Sequence, residues 1–407
     1  MHDFILREIK DTDIETELKK IGFDKSYTHK AKEKLEYKNI KIYSLTPAMA
    51  NIIKQTALSV GCDCATHREV ITGKIEKSNS ILGGSVSQIK KVAEKLKFQP
   101  FGLKKLGEKL EKIRHSETKN KRFFAIAQND CAEEPPTKFK VTGEGFQTKL
   151  VGILNLTPNS FSDGGMYNDF EKAKEHLLEL IKDGADIIDI GAESTKPYSQ
   201  AVPATEQLEK LLPIIDFARD KIPLSIDTRS AEVAEECLKT GANIINDVSG
   251  FDYDEKMANV IAKYNVPVII QHSKGSPENM QNSPEYTDLM EEIFLNLREK
   301  VNFARSKGIE NIIIDPGIGF GKSREENFEI IRRVEEFQSL GCPIMLGISR
   351  KSLLNMADAD NLTKDIYTTA LNTLAIERNV DYIRVHNVKM HRKLIDLMSM
   401  FMVRLSR

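Results

Sequence analysis

Eight short apolar segments between residues 149 and 388 each end in polar side chains that could do chemistry. These side chains are Asn155, Asp189, Asp227, Asn246 with Asp247, Gln271 with His272, Asp315, Ser349 with Arg350 and Lys351, and Arg384 with His386 and Asn387. Any one of them alone could cap a helix or satisfy a buried backbone group. Polar groups at the ends of so many successive segments are better explained by one shared site.

Three of these residues predict a subsite for a flat heterocycle that carries several N–H groups. Asp227 and Asp315 supply acceptors, and Asn246 supplies both donors and acceptors. A carboxylate can accept from adjacent ring N–H and amino donors, as acidic side chains do when they read bases. Lys351 adds a donor for a ring carbonyl. Phe320 could supply a stacking face or could pack inside the fold.

Arg384, His386 and Asn155 predict an anion subsite on the opposite side. Arg384 can bind two phosphate oxygens at once, and His386 can donate a hydrogen bond. Asn155 could complete an octahedral Mg²⁺ site together with phosphate oxygens and waters. Because the sequence contains no dedicated acidic cage, Mg²⁺ is expected to arrive with the substrate's phosphates. No Ser-His-Asp, Cys-His or His-Glu-x-x-His arrangement supports hydrolysis by a triad or by zinc.

The elements that must position these residues alternate between strands and helices. The apolar segments predict strands at 150–156, 185–190, 223–226, 243–245, 267–270, 311–314, 343–346 and 382–385. Helical patterns lie at 169–182, 204–218, 231–238, 255–263, 284–307, 324–337, 363–377 and 389–402. Eight strand–helix units in roughly 260 residues are the number and size of a (β/α)8 TIM barrel in the α/β class. An open doubly wound sheet is the alternative, but no Gly-x-Gly-x-x-Gly loop follows the first strand.

Residues 1–130 predict a smaller mixed α/β domain of unknown function that precedes the barrel. Strands are predicted at 39–45, near 70–71 and 81–82, and at 122–127, with helices at 47–59, 85–96 and 103–113. The polar segment 131–147 contains two consecutive prolines and predicts a linker, with a possible hairpin that caps the barrel. The barrel domain is then 148–407.

Composition limits the class of protein. The chain has 407 residues, 40% of them apolar, and a formal net charge of −1. This length exceeds the roughly 250 to 300 residues at which one core stops growing, so two domains are expected. The near-neutral charge argues against a general nucleic-acid binder. We expect a cytoplasmic protein with no membrane partner, because the sequence contains neither a span-length apolar segment nor a signal peptide.

The 5 cysteines are dispersed and odd in number, which predicts reduced thiols rather than a disulfide framework. Cys62, Cys64 and His67 could supply three metal ligands. Their spacing is not a usual structural-zinc pattern, and no paired cluster supplies the fourth ligand. Buried thiols are therefore the preferred interpretation.

The region from residue 148 onward resembles the dihydropteroate synthases through most of its length. The matching stretches are GILNLTPNSFSDGG (152–165), DIGAESTKP (189–197), SIDTRSAEVA (225–234), INDVSG (245–250), QHSKGSPENMQ (271–281), DPGIGFGK (315–322), GISRKS (347–352) and RVHNV (384–388). Ordered motifs at predicted strand ends form a specific signal. Members of this family join 6-hydroxymethyl-7,8-dihydropterin pyrophosphate to 4-aminobenzoate and release pyrophosphate in folate biosynthesis. They are the target class of sulfonamides.

The resemblance implies a role for each matching residue. The residues expected to hold the pterin are Asp227, Asn246, Asp315 and Lys351. The pyrophosphate and Mg²⁺ would be held by Asn155, Arg384 and His386. The 4-aminobenzoate pocket would be shaped by Phe161, Thr195, Lys196, Pro197 and Ser352. Catalysis is assigned to Asp227, Asp315, Lys351, Arg384 and His386, which would stabilise charge on the pterin and on the departing pyrophosphate.

Four positions depart from the family pattern. Asn159 and Asn387 stand where Asp is usual, Lys196 stands where Arg is usual, and Ser273 stands where Met is common. Lysine keeps the charge but loses the two-pronged guanidinium, so contacts to aminobenzoate or sulfonamides are expected to change.

Two alternative functions remain for the chain: a methyltetrahydrofolate–corrinoid methyltransferase-like enzyme and a non-catalytic pterin-binding protein. The resemblance also implies a homodimer.

Overall fold

The computed structural model describes residues 14–111, 148–156, 165–193, 202–274, 286–356 and 360–403. The chain divides into two compact units, Met1–Arg122 and Phe123–Arg407. The predicted strand at 122–127 and the predicted linker and hairpin at 131–147 lie outside the described residues. The bounds of that linker therefore stay a prediction.

The first unit is a small mixed α/β fold, as predicted. Its elements are α1 (Ile14–Lys20), α2 (Thr28–Leu35), β1 (Tyr37–Leu45), α3 (Pro47–Leu58), β2 (Asp63–Thr66), β3 (Ser78–Ser85), α4 (Val86–Leu96) and α5 (Leu103–Glu111). The strands form an antiparallel sheet in the order β1-β3-β2. Thr46 caps α3 by accepting from the Met49 N–H at 3.3 Å, and Ser85 and Gln88 form a capping box at α4.

Two details of this unit differ from the sequence analysis. The strand predicted near 70–71 is wrong, because Arg68–Val70 forms a short 3-10 helix that begins where His67 Nδ1 accepts from the Glu69 N–H at 3.1 Å. The strand β2 was not predicted. Cys62 and Cys64 flank its start and lie inside the apolar core, where burial raises the pKa of both thiols.

The second unit is a parallel barrel, so the TIM-barrel prediction is confirmed and the open-sheet alternative is wrong. Its strands are β4 (Lys149–Asn155), β5 (Ile187–Gly191), β6 (Leu224–Asp227), β7 (Ile244–Asp247), β8 (Val268–Gln271), β9 (Ile312–Asp315), β10 (Met345–Leu346) and β11 (Tyr382–Val385). They pair in the order β10-β11-β4-β5-β6-β7-β8-β9. A parallel bridge between Ile314 and Ile344 joins the two ends and closes the ring.

Helices follow the strands around the ring. They are α6 (Gly165–Lys182), α7 (Ala204–Ala218), α8 (Ala231–Thr240), α9 (Met257–Tyr264), α10 (Leu289–Ser306), α11 (Arg324–Arg332), α12 (Asn361–Glu377) and α13 (Val388–Val403). The helix predicted from 284 begins later, because Asp288 caps α10 by accepting from the Glu291 N–H at 3.1 Å. Within the described ranges, no helix combines the length and apolar character needed to span a membrane.

Candidate active site

The barrel interior is built in layers, because alternate residues of each strand point inward. One apolar layer takes a residue from each of seven strands: Val151, Ile187, Ile244, Ile269, Ile313, Met345 and Tyr382. Two residues further along five of these strands, on the same face, stand Asp189, Asn246, Gln271, Asp315 and Arg384. Asp227 pairs in register with Asn246 and so joins this layer. The polar layer therefore lies at the carboxyl ends of the strands, where barrel enzymes hold their active sites.

Strand alternation also explains why Asp247 has a different role from its neighbour Asn246. The Asp247 side chain lies on the other face of β7. Its carboxylate accepts from the Ser249 N–H at 2.9 Å, the Ser249 hydroxyl at 2.6 Å and the Phe251 N–H at 2.8 Å. Asp247 therefore orders the loop after β7 rather than lining the interior.

Arg384 joins two buried carboxylates at the centre of the polar layer. Its Nε donates to Asp189 Oδ2 at 2.6 Å, and its Nη2 donates to Asp227 Oδ2 at 2.8 Å. Asn246 Nδ2 also donates to Asp189 Oδ2, at 3.1 Å. Arg384 thus lies among the carboxylates, whereas the sequence analysis expected it on the opposite side. Burial raises the pKa of Asp227 to about 7, although the nearby Arg384 opposes that rise.

Several acceptor oxygens of this layer have no hydrogen-bond partner within the described residues. They are Asp189 Oδ1, Asp227 Oδ1 and Asn246 Oδ1, each shielded from solvent. Buried polar atoms are normally paired, and leaving one unpaired costs roughly 1 to 3 kcal/mol. A group of unpaired acceptors at the open end of a barrel fits a ligand that presents several N–H donors.

The loop after β9 is held by a lysine that the sequence analysis did not single out. Lys322 Nζ contacts His272 Nδ1 at 3.0 Å and donates to the carbonyls of Gly317 at 2.9 Å and Phe320 at 3.0 Å. Gly317 N–H in turn donates to Asp315 Oδ1 at 2.7 Å. Burial lowers the pKa of Lys322 to about 7. Its place within DPGIGFGK was visible, but its partners are visible only in the fold.

Lys351 reaches back across the same loop. Its Nζ donates to the Ile318 carbonyl at 2.5 Å and lies 4.6 Å from the centre of the Phe320 ring. Burial lowers the pKa of Lys351 to about 8, while the Asp315 carboxylate opposes the change. Phe320 is itself buried against this ammonium group. Lys351, Phe320 and Asp315 thus belong to one cluster.

His386 lies beside Ser349 at the ends of β11 and β10. The Ser349 hydroxyl accepts from the His386 backbone N–H at 3.1 Å and lies 2.9 Å from His386 Nδ1. Its hydrogen can therefore bond to Nδ1, which favours the tautomer with the proton on Nε2. Burial lowers the pKa of His386 to about 3, so the ring is neutral at physiological pH.

Arg350 and Asn387 both bind one buried carboxylate on α12. Arg350 forms two 2.7 Å hydrogen bonds to Asp365, and Asn387 Nδ2 donates to Asp365 Oδ2 at 3.1 Å. Arg350 has a positive φ of 56°, a conformation that a non-glycine residue adopts only when its surroundings hold it. We call these contacts of Arg350 and Asn387 with Asp365 the Arg350–Asp365 clamp. The clamp holds the residue before Lys351 and the residue after His386.

The remaining predicted residues are placed as follows. Asn155 ends β4 with an exposed side chain, and Ser352 is exposed at the start of the 3-10 helix Ser352–Leu354. Ser273 lies two residues after the end of β8. The residues that lie outside the described ranges are Phe161, Thr195, Lys196 and Pro197, together with Asn159.

A metal held only by protein ligands does not fit the described residues. No group of three His, Cys, Asp or Glu side chains in the described part of the chain is placed to hold an ion. Asn155 offers an amide oxygen at the carboxyl end of β4. Mg²⁺ commonly keeps several waters and takes one or two protein ligands plus phosphate oxygens, and Asn155 fits that arrangement.

Comparisons with known proteins agree with this architecture. The pterin binding enzyme family matches residues 151–386. The dihydropteroate synthase of Clostridium beijerinckii is 44% identical over 252 residues, which are 60% of this chain and 90% of that protein. The dihydropteroate synthase of Bacillus subtilis is 40% identical over 257 residues and is covered over 88% of its length.

One relative also matches residues outside the barrel. A probable bifunctional folylpolyglutamate synthase/dihydropteroate synthase of Halobacterium salinarum is 36% identical over 346 residues, or 83% of this chain. The second unit has 407 − 122 = 285 residues, so a match over 346 residues extends into the first unit. The chain spans 40% of the length of that bifunctional protein.

Solved structures give the same result. A crystal structure of dihydropteroate synthase from Clostridium difficile in the presence of pteroic acid has a TM-score of 0.59 and 40% identity, and covers 62% of this chain and 96% of that chain. The structure of the Xanthomonas albilineans dihydropteroate synthase with 4-aminobenzoic acid has a TM-score of 0.59 and 33% identity, and the match covers 63% of this chain and 93% of that chain. The chain therefore belongs to the pterin binding enzyme family, as a dihydropteroate synthase that carries an additional N-terminal unit.

Proposed function

We propose that the polar layer of the barrel condenses 6-hydroxymethyl-7,8-dihydropterin pyrophosphate with 4-aminobenzoate to give 7,8-dihydropteroate and pyrophosphate. The chain is thus a transferase of folate biosynthesis. The observation that carries the proposal is that the buried acceptor oxygens Asp227 Oδ1 and Asn246 Oδ1 lack partners in the described residues, while Arg384 binds the other oxygen of Asp227. A pterin ring presents amino and ring N–H donors, and a guanidinium can bind two oxygens of its pyrophosphate at once.

The pterin is held by groups that differ in charge. Asp227, Asn246 and Asp315 accept from its donors, and Lys351 donates to its ring carbonyl. Because burial raises the pKa of Asp227 to about 7, this carboxyl is ionised and fully able to accept only above that pH. The Phe320 ring packs beside the Lys351 ammonium, and it supplies an apolar wall for the heterocycle.

The pyrophosphate is held by Arg384 and His386. The neutral His386 ring donates through Nε2, since its Nδ1 is engaged by Ser349. Asn155 would hold Mg²⁺ together with the phosphate oxygens, and the ion supplies positive charge that stabilises the leaving group. The Arg350–Asp365 clamp keeps Lys351 and His386 in position without contact to the substrate.

We propose that 4-aminobenzoate is bound by Ser352 together with Phe161, Thr195, Lys196 and Pro197, of which the last four lie outside the described residues. Lys196 provides a charge for the carboxylate of 4-aminobenzoate, but it lacks the two-pronged geometry of arginine. We therefore expect weaker discrimination among carboxylate and sulfonamide analogues than an arginine would give.

The chemistry is a substitution at the pterin methylene carbon. The bond from this carbon to the bridging oxygen breaks, and pyrophosphate leaves with the electron pair. The amine nitrogen of 4-aminobenzoate forms the new C–N bond and loses one proton. Asp227 and Asp315 stabilise positive charge on the pterin, and Arg384 and His386 stabilise negative charge on the leaving group. Removing one such preorganised contact commonly lowers kcat by about 10²- to 10³-fold.

The test is pyrophosphate release by the full chain with both substrates and Mg²⁺. Release that requires 4-aminobenzoate, with 7,8-dihydropteroate formed in equal amount, is the expected result. Release without 4-aminobenzoate would indicate hydrolysis, and no release would leave a pterin-binding protein. Methyl transfer from methyltetrahydrofolate to a corrinoid, assayed in parallel, is expected to be absent.

We also propose that the chain forms a homodimer through α12 and α13. These helices pack on each other and expose large apolar side chains: Leu362, Ile366, Leu374, Leu397, Met400 and Phe401. Exposed apolar side chains on neighbouring helices mark an interaction surface. Light scattering is expected to give twice the chain mass, and Ile366→Glu is expected to halve it. The matched control is Leu178→Glu on α6, which changes another exposed aliphatic side chain, and an unchanged mass in Ile366→Glu would remove this surface from consideration.

A cytoplasmic location is proposed on separate grounds. Cys62, Cys64 and Cys237 are buried and form no disulfide with another described residue. Free thiols persist in reducing compartments, where disulfides are rare.

A further inference from the structure

Asp189 holds the centre of the polar layer, yet the proposed reaction gives it no contact with substrate atoms. Its side chain is fully buried. Its Oδ2 accepts from Arg384 Nε at 2.6 Å and from Asn246 Nδ2 at 3.1 Å. The Arg384 contact is the shorter of the two carboxylate contacts that this guanidinium makes.

The other contact of Arg384 stands where the pterin must bind. Arg384 Nη2 donates to Asp227 Oδ2 at 2.8 Å, while Asp227 Oδ1 has no partner among the described residues. A heterocycle with adjacent N–H groups binds a carboxylate through both oxygens. Such a ligand also needs Oδ2, which already accepts from Nη2, so it competes with the guanidinium for that oxygen.

We propose that Asp189 is a positioning residue on which Arg384 pivots, so that pterin binding at Asp227 releases one arm of the guanidinium for the pyrophosphate. This inference rests on the proposed function. In the ligand-free protein Arg384 bridges the two carboxylates. When the pterin donors take over Asp227, the Nε bond to Asp189 is retained and the Nη2 arm turns to the phosphate oxygens.

The hydrogen bonds balance through this exchange. Asp227 loses one donor from Arg384 and gains donors from the pterin. The guanidinium loses one carboxylate oxygen and gains phosphate oxygens. Asp189 keeps Arg384 close to a compensating charge throughout, which matters because an unpaired charge in a buried site is costly. Without that carboxylate, Asp227 would be the one carboxylate among the described residues still hydrogen-bonded to Arg384, and the guanidinium would compete with the pterin for it.

The pivot predicts positive coupling between the two halves of the substrate. A pterin that carries no phosphate should tighten the binding of inorganic pyrophosphate, because it frees the arm that pyrophosphate needs. Coupling of this kind is reciprocal and commonly amounts to about 5- to 150-fold in affinity. If Arg384 did not move, the two ligands would bind independently.

The experiment measures pyrophosphate affinity by calorimetry, in Mg²⁺, on the full chain with and without saturating 6-methyl-7,8-dihydropterin. We expect at least about fivefold tighter binding with the pterin present. Asp189→Asn should reduce this coupling to within about twofold, and Arg384→Met should abolish it. In the Arg384→Met background, Asp189→Asn should have no further effect on coupling, because the first residue acts through the second.

Asp186→Asn is the matched control, since Asp186 also pairs with an arginine and a second donor but lies before β5, at the opposite end of the barrel. It accepts from Arg392 Nη2 at 2.7 Å and from the Leu150 N–H at 2.8 Å. This variant should lose stability but keep the coupling. Retained coupling in folded Asp189→Asn, or no coupling in the wild-type protein, would overturn the pivot.

Folding and function are separated by two further readings. Circular dichroism reports whether Asp189→Asn folds. If it does not fold, comparing the coupling in the wild-type protein with that in Arg384→Met still decides whether the guanidinium carries the coupling. Failure of the wild-type chain to bind 6-methyl-7,8-dihydropterin at all would overturn the proposed function itself. Binding of both ligands without coupling would overturn only the pivot.

Discussion

Replacement of Gly317 by alanine is expected to damage both stability and turnover, and a second glycine beside the same strand provides the control. Gly317 follows β9 with a φ of 74°, and a Cβ there would lie 1.8 Å from the His272 carbonyl oxygen. Gly308 precedes β9 with a φ of 85°, and a Cβ there would meet nothing within 4 Å. The two substitutions therefore share the unfavourable backbone conformation and differ in the available space.

The expected magnitudes follow from that difference. An alanine in the left-handed region costs about 1 to 2 kcal/mol, which is the full effect expected for Gly308→Ala. At Gly317 the new Cβ must move at least 3.0 − 1.8 = 1.2 Å to reach the shortest separation that real Cβ atoms show. That movement breaks the Gly317 N–H bond to Asp315 and disturbs the Lys322 contact. With about 1 to 3 kcal/mol for each of these two buried groups, the additional loss is roughly 2 to 6 kcal/mol.

Turnover should fall more steeply at Gly317 than at Gly308. A displacement of about 1 Å in catalytic geometry can lower the rate about 10²-fold, and the Gly317 loop carries Asp315 and the Ile318 carbonyl that holds Lys351. Urea unfolding measures the free energy of both variants, and pyrophosphate release measures turnover. If Gly317→Ala matched Gly308→Ala in both assays, the steric reasoning would be wrong.

Three other predictions concern the charged groups. Because burial raises the pKa of Asp227 to about 7, affinity for a dihydropterin should fall about tenfold from pH 8 to pH 6, as measured by fluorescence titration. The contribution of this carboxyl to stability has the opposite dependence: it is present at low pH and is lost as the pH rises through 7. An affinity that does not change with pH would contradict the assignment. Lys351→Ala and Arg384→Ala should each lower turnover at least about tenfold without unfolding the chain, and near-normal turnover of either folded variant would end its proposed role. Lys322→Met should release the loop after β9 and raise KM for the pterin substrate about tenfold or more. The control is Arg392→Met, which frees the Gly184 carbonyl at the other end of the barrel and should change stability alone. Equal KM values for the two variants would mean that Lys322 has only a structural role.

Most of the barrel could be predicted from sequence, because its signals are local. Short apolar runs closed by polar residues mark strands, and every predicted barrel strand lies within a few residues of the observed one. Strand alternation then selects which polar residues face inward. It places Asn246 in the site and turns Asp247 toward its own loop.

The contacts between these residues could not be predicted, because they join distant parts of the chain. Arg384 binds Asp189 and Asp227 across 195 and 157 positions, and no local pattern indicates which charges will pair. The error near 70–71 has a similar cause. Two adjacent apolar residues carry no period, and the tertiary context selected a 3-10 helix there and a strand at Asp63–Thr66.

The unpaired acceptors described above make the site a filter against close analogues. A pterin mimic that exchanges an amino group or ring N–H for oxygen, halogen or C–H would set acceptor against acceptor, or leave a buried carboxylate oxygen without hydrogen bonds. Sites built to bind N–H or O–H groups reject analogues that lack them by about 10⁴- to 10⁵-fold. Inhibitor chemistry aimed at this half of the pocket must therefore preserve the donor pattern of the ring, and its freedom to vary lies in substituents that point away from Asp227 and Asn246.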